Sequence, residues 1–251
     1  MKKVIFVFLV LGFSTLWSQK MTKDKMIELE KKILKEAASY NDIGAYKTAL
    51  FHLIALEGEH STYKDTLAEL YFRTGEYISL LPLIDELLST QPENKRYLEM
   101  QATAYEKLGD QKKAIASLEK LFELMPGNAA VGYRLAWNQY LLKRIEEAYT
   151  TLISFKDQKF PADLVVRFPT TNNQFEQVPL KAAYYNLLGL VTYDLHNLDL
   201  AMKYFDEALK VYPDFSGAKQ NKEAVKLMKA KLQSKKKGTA NKNEEKSKPN
   251  Q

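Results

Sequence analysis

The sequence contains no cysteine, which excludes a disulfide framework, a thiol nucleophile and a lipid-attachment cysteine. Histidine is nearly absent. His52, His60 and His196 lie far apart, and without cysteine a zinc site would need distant carboxylates, so no metal site is expected. There is no glycine-rich phosphate loop, no G-x-S-x-G elbow and no serine with a recognisable base beside it. Adjacent acids such as Glu57/Glu59 and Glu146/Glu147 fit solvated faces. The chain is therefore expected to be no enzyme and to need no cofactor.

Long apolar runs are lacking too. The longest, Val4 to Trp17, is broken by Gly12, Ser14 and Thr15, whereas a membrane-spanning helix needs about 20 apolar residues. Lys2 and Lys3 precede this run and the small residue Ser18 follows it, which predicts a secretory signal peptide over residues 1–18. Leu16 is larger than the alanine preferred before a cleavage site, and an uncleaved anchor is the less favoured alternative. No Asn-x-Ser/Thr sequon occurs. Together these features predict an exported protein, periplasmic or secreted, of a bacterial envelope.

Positive charge is scarce where a nucleic-acid binder would need it. The net charge is +6 over 251 residues, but the two ends supply it. Residues 1–20 carry +3 and residues 219–251 carry +8, leaving −5 for the stretch between. A nucleic-acid-binding domain concentrates its basic residues on the folded surface, so that class is disfavoured.

What the sequence does have is a period. Leu80, Ala114 and Ala148 are 34 residues apart, and Pro92 and Pro126 keep the same interval. A period of this length marks an array of helix pairs, each unable to bury its apolar face alone. The clearest unit, 182–215, carries Tyr185, Leu188 and Gly189, then Ala201, Phe205, Ala208 and Pro213. The unit at 95–128 has Ala102, Tyr105, Gly109, Ala114, Leu118, Leu121 and Pro126, and that at 61–94 has Leu67, Ala68, Tyr71, Gly75, Leu80, Ile84, Leu87 and Pro92. Looser units are 129–162, with Leu135, Ala136, Ala148 and Leu152, and about 30–60, with Ala37, Tyr40, Gly44, Ala49, Leu53 and Leu56.

Small residues at Ala68, Ala102, Ala136 and Gly189 let helix backbones approach closely. Gly44, Gly75 and Gly109 are expected to end first helices in the left-handed conformation that glycine adopts cheaply. The corresponding turns at Lys143 and at His196-Asn197 lack glycine, and a different turn is expected at Lys143.

These units resemble the tetratricopeptide repeat (TPR), W-x2-L-G-x2-Y…A-x3-F…P. The fifth departs from it in having Thr192 where the pattern has tyrosine, with Tyr193 one place later. The resemblance implies an all-α, right-handed superhelical solenoid of about five helix pairs over residues 23–215.

Two stretches break the rhythm. From Ala148 to Ala201 the interval is 53, which places an insertion at about 163–181. Extended runs at Val165–Phe168 and Gln174–Val178 flank a turn at Thr170–Asn173, and Pro169 and Pro179 forbid a continuous helix, predicting a small β-hairpin. It is either a loop packed on its own scaffold or a binding or gating element. After Ser216 a capping helix is expected to residue 233, with Ala218, Val225, Met228 and Leu232 on one face and Lys219, Lys222, Lys226 and Lys229 beside it. A disordered basic tail is expected over 234–251.

One constellation stands out. Tyr133, Trp137 and Tyr140 recur at i, i+4 and i+7 of a first helix and share a face. In the TPR family the comparable positions line a concave groove that receives peptides. The resemblance implies a partner-binding set of Tyr133, Trp137, Tyr140, Arg96, Glu99, Asn186 and Tyr193. The other reading is that the aromatics replace bulk missing at Gly132 and Gln139. The groove lacks the lysine and asparagine pattern with which chaperone-docking TPR domains clamp a terminal carboxylate. The function expected is a protein-interaction scaffold for a peptide or partner helix. The alternative is an envelope adaptor whose lysine-rich C-terminal helix and tail bind anionic lipid or polymer.

Overall fold

The computed structural model describes residues 21–170 and 174–246. The expected signal peptide, the centre of the hairpin turn and the last five tail residues lie outside them. The chain divides into two compact units, Met1–Leu70 and Tyr71–Gln251, with the boundary inside α3 (Tyr63–Thr74). Among the described residues no helix is long and apolar enough to cross a membrane.

The first unit holds α1 (Lys23–Ser39), α2 (Ile43–Glu57) and the start of α3. Thr22 caps α1 and Asp42 caps α2, its Oδ1 accepting from the Ala45 amide at 2.9 Å. The left-handed residue between these helices is Asn41, φ 55°. Gly44, expected there, lies in the first turn of α2 instead. Asparagine tolerates that conformation, so the turn closes three residues earlier than the glycine suggests. Among the described residues of this unit, Ala37, Ala49, Leu50, Leu53, Leu67 and Ala68 are the buried apolar ones.

The second unit contains α4 (Tyr77–Thr90), α5 (Lys95–Leu108), α6 (Gln111–Leu124), α7 (Ala129–Leu141) and α8 (Ile145–Ser154). After β1 (Val165–Pro169) and β2 (Phe175–Pro179) come α9 (Leu180–Asp194), α10 (Leu198–Val211) and α11 (Ser216–Lys246). Asn94, Asn128 and Asn197 cap α5, α7 and α10, and Asp110 caps α6. Gly75 and Gly109 hold the left-handed turns as expected, at φ 74° and 78°.

Lys143 corrects the expectation of a different turn. It adopts φ 59° and repeats the hydrogen bonds made at Gly109. The amides of Lys143 and Arg144 donate to Tyr140 and Gln139, as those of Gly109 and Asp110 donate to Glu106 and Tyr105. His196, φ 61°, serves the next pair. Docking of each helix pair enforces the turn, at a cost of about 1–2 kcal/mol for a side-chain-bearing residue.

Packing follows the small residues. Ala102, Ala136 and Gly189 are fully buried. A Cβ on Gly189 would lie 2.4 Å from the Phe205 ring, so the absence of a side chain is what admits that ring. At Gly132 a Cβ would lie 2.5 Å from Phe155 and 3.0 Å from Phe122. These two rings meet edge to face at 6.0 Å and occupy the space a bulky residue would fill. Gln139 is buried, with its Oε1 accepting from the Thr151 hydroxyl at 2.9 Å.

The insertion is a two-stranded antiparallel hairpin in the register Val166↔Val178, Arg167↔Gln177 and Phe168↔Glu176. Alternation sends Val166, Phe168 and Val178 to the core around Tyr184 and Phe215, while Arg167 stacks over the exposed Phe175 ring at 4.5 Å. Phe168 meets Phe215 edge to face at 4.9 Å. The Glu176 carboxylate accepts from the Ser216 amide at 3.3 Å and from its hydroxyl at 2.6 Å, capping α11. The hairpin is thus packed on its own scaffold.

Helix α11 differs from expectation in length and face. It continues to Lys246, beyond the expected end at 233, so residues 234–246 are helical where a disordered tail was expected. Ala218 and Val225 are buried, but Met228 and Leu232 are exposed. The lysine stripe is tied to carboxylates. Lys222 lies 2.5 Å from Asp206, Lys229 2.5 Å from Asp199 and Lys219 3.5 Å from Asp214.

Replacing Gly132 with alanine forces the Phe155 ring to move. Gly132→Ala is expected to destabilise the protein by about 1–3 kcal/mol, read as a lower urea midpoint. Phe155→Leu, which removes the obstructing ring, should make the added alanine cost little in that background.

Candidate functional site

The site lies on α5, α7 and α9, the first helices of consecutive pairs. Glu99, Thr103 and Glu106 precede Tyr133, Trp137 and Tyr140 by 34 positions each. Asn186, Leu190 and Tyr193 repeat the spacing on α9. One face is therefore built three times, carboxylate-rich on α5, aromatic on α7 and mixed on α9.

Between α5 and α7 the dominant group is Arg134. Its Nε and Nη2 donate to the Glu106 carboxylate at 3.1 Å and 2.6 Å, Nη2 reaches Thr103 Oγ1 at 3.0 Å, and Nη1 bridges to Glu99. Asn138 Nδ2 donates to the other Glu106 oxygen at 2.8 Å. Burial opposes the guanidinium charge, but hydrogen bonding and attraction from Glu106 and Glu99 outweigh it and raise the pKa above its usual value. The Arg134 side chain is 25% exposed, so these bonds operate partly shielded from water.

Between α7 and α9 the aromatics take over. Trp137 and Tyr140 are half-buried with ring centroids 6.1 Å apart, and exposed Leu141 follows them. Lys143 Nζ sits 5.2 Å over the Tyr140 ring and 3.5 Å from the Asp194 carboxylate on α9. Burial, then the Asp194 charge and hydrogen bond, push the Tyr140 phenol up to about 12.

The seven sequence-predicted residues separate into groups. Trp137 and Tyr140 form the aromatic pair, and Glu99 is tied to Arg134 while its side chain remains 42% exposed. Arg96 is exposed in the first turn of α5. Tyr193 is half-buried against Ala201, Phe205 and Val225. Two residues are withdrawn from the surface. Tyr133 is 5% exposed within the core, and burial raises its phenol pKa further than that of Tyr140. Asn186 is 3% exposed because α11 covers it, Asn221 Nδ2 donating to its Oδ1 at 2.9 Å.

Sequence reasoning missed Arg134, Glu106, Thr103, Asn138 and Asp194. The 34-residue register would have found Thr103 and Glu106, whereas Arg134 gives no signal until its neighbours are known. Among the described residues no group of histidine or acidic side chains could hold a metal ion.

Stacked helix pairs with small residues at each crossing define a helical-repeat array. The tetratricopeptide repeat family model matches residues 96–128 and 182–215. These two stretches match as tetratricopeptide repeats, and the fold is the all-α TPR solenoid with a small two-stranded insertion.

Similar solved structures extend the likeness beyond the two matched units. One, described as YrrB, a TPR protein with an unusual peptide-binding site, is 18% identical with a TM-score of 0.60, covering 81% of this chain and 98% of that one. MamA is 14% identical with a TM-score of 0.56, covering 74% and 92%. A MamA fragment from Desulfovibrio magneticus RS-1 is 13% identical with a TM-score of 0.55, covering 78% and 99%. At these identities the likeness is one of fold. No curated protein matches the chain.

Two predictions follow from the geometry. Arg134→Ala leaves both carboxylates facing each other, and should lower stability by about 1–3 kcal/mol in urea unfolding. Arg134→Lys should recover only part, since one ammonium cannot reproduce the forked contacts. A phenol whose folded pKa is raised contributes stability that is complete below the unfolded value and lost as pH rises toward the folded one. Stability should therefore fall between about pH 10 and pH 12. In the folded protein the phenolate absorbance of Tyr140, obtained by difference from Tyr140→Phe, should appear late in that window.

Proposed function

We propose that this chain is a non-enzymatic protein-interaction scaffold of the bacterial cell envelope, holding an extended peptide or partner helix against α5, α7 and α9. The observation that carries this reading is the half-buried Trp137–Tyr140 pair, followed by exposed Leu141. Aromatic side chains held rigid by their neighbours supply much of the energy at protein interfaces. Lys143 and Arg134 fix this surface from either side, so little ordering remains to be done on binding. The peptide-binding site in the description of YrrB supports a groove ligand for a similar fold. Export rests on Lys2, Lys3 and the short apolar run after them.

The alternative is an envelope adaptor in which α11 and the following tail bind anionic lipid or polymer. Its support is the exposed stripe Leu227, Met228 and Leu232. Against it, Lys219, Lys222, Lys226 and Lys229 each have a carboxylate within 3.5 Å. No catalytic role and no nucleic-acid partner belong to either reading.

In-cell crosslinking from a photoreactive residue at position 137, with position 236 as control, tests the proposal. One dominant protein captured from 137 alone is expected, and Trp137→Ala should weaken that partner's binding about tenfold or more. Capture from 236 alone, abolished by salt, would overturn the groove reading in favour of the basic tail.

A further inference from the structure

Helix α11 is the first helix of a sixth, incomplete pair. It begins at Ser216, 34 residues after Ala182, where the second matched repeat starts. Tyr184 and Val191 are buried on α9, and so are Ala218 and Val225, 34 positions later on α11. The bond from Asn221 Nδ2 to Asn186 Oδ1 spans 35 residues, as the Arg134–Glu99 bridge does between α7 and α5. Helix α11 therefore sits on α9 as α7 sits on α5, and the groove face gains a fourth helix. One row of that face runs Glu106, Tyr140, Tyr193 and Leu227, one residue per helix. Leu227 is 64% exposed and Met228, 34 positions after Asp194, is 40% exposed. An apolar track thus leads from Trp137 and Tyr140 across Tyr193 to α11.

The spacing and the hydrogen bonding of this track describe its ligand. Packed helices lie about 8–10 Å apart, so the row offers one contact at each such step. A β-strand presents the same side about every 6.7 Å and falls out of step. Three residues of polyproline II cover about 9.3 Å and seven of an α-helix about 10.5 Å, so both keep step. Hydrogen bonding separates these two. The Tyr140 hydroxyl is bonded to Asp194, but the Trp137 indole N–H and the Tyr193 hydroxyl meet no acceptor among the described residues. An α-helix keeps its carbonyls for its own amides, whereas polyproline II has no internal hydrogen bonds and offers a carbonyl at each residue. The fixed charges of α5, α7 and α9 answer one another, Arg134 with Glu99 and Glu106, and Lys143 with Asp194. The face therefore complements a ligand of little charge. Resting on the groove reading above, we propose that the ligand is a proline-rich segment in the polyproline II conformation, lying across α7, α9 and α11 with every third side chain on Tyr140, Tyr193 and Leu227. Such a segment is ordered before it binds, so little conformational freedom is lost.

The test is titration of the full chain with an uncharged peptide of repeating Leu-Pro-Pro, read by calorimetry and by NMR of the Trp137 indole N–H. Trp137→Phe assigns that signal. A Kd below about 1 mM is expected, with the indole proton moving downfield as it finds an acceptor. Leu227→Lys and Tyr193→Phe should each weaken binding about fivefold or more. The first alters an exposed residue of α11 and the second removes only a hydroxyl, so both spare the fold. Raising the salt tenfold should change the Kd by less than about twofold. An alanine-rich helical peptide with leucine at every seventh residue is the control. Binding of that helix in place of the Leu-Pro-Pro peptide overturns the proposal and leaves the groove reading standing. Failure of the Leu-Pro-Pro peptide to bind also overturns it, as does binding indifferent to Leu227→Lys. Crosslinking from position 137 reports on the groove whatever its ligand's conformation, so the two failures are distinguishable.

Discussion

Close approach of helix backbones is the constraint on which the rest of this structure depends. A helix pair of this size cannot bury enough apolar surface by itself, so each must press against its neighbours. Within a pair and between pairs, helices come closest where a side chain is missing. At Gly189 the vacancy admits Phe205, and at Gly132 it admits Phe155 and Phe122. The Gly132 contacts seat α7, the helix that carries the aromatic pair, against Phe122 and Phe155. The left-handed turns at Lys143 and His196 show the strength of the constraint: docking holds two side-chain-bearing residues in a conformation they disfavour.

The polar groups follow a different logic. Arg134 spans the crossing between α5 and α7 with bonds to two carboxylates, a hydroxyl and, through Glu106, an amide. Removing any one member leaves the others short of a partner. The face that would receive a ligand is rigid on its acidic flank for this reason. On its aromatic flank, Lys143 and Asp194 play a lighter version of the same part, largely in water.

Much of the fold was legible in the sequence because the 34-residue interval is a property of spacing alone. The small residues, the hairpin at the interrupted interval and the glycine turns at positions 75 and 109 all follow from it. The errors came where one residue substitutes chemically for another. Asn41 took the turn assigned to Gly44, and Lys143 adopted a conformation that its residue type disfavours. The site was less legible. Helical spacing placed Trp137 and Tyr140 correctly on a common face, but it could not distinguish them from Tyr133, which lies one turn away and inside the core. Asn186 was lost to the surface through Asn221, a contact between helices that periodicity does not encode. Arg134 was invisible because its role depends on residues 28 to 35 positions earlier.

The hairpin carries a last consequence. By period alone it is surplus, and excising it would return the chain to an uninterrupted rhythm. Yet its Glu176 terminates the free amide end of α11, and its Phe168 lies against Phe215 at the entrance to that helix. The final helix is thus specified from forty residues upstream, by the segment that most resembles an interruption. A shortened, more regular version of this chain would leave the first amide of α11 without the Glu176 carboxylate and Phe215 without the Phe168 ring, so the irregular segment is the fastening of the regular part.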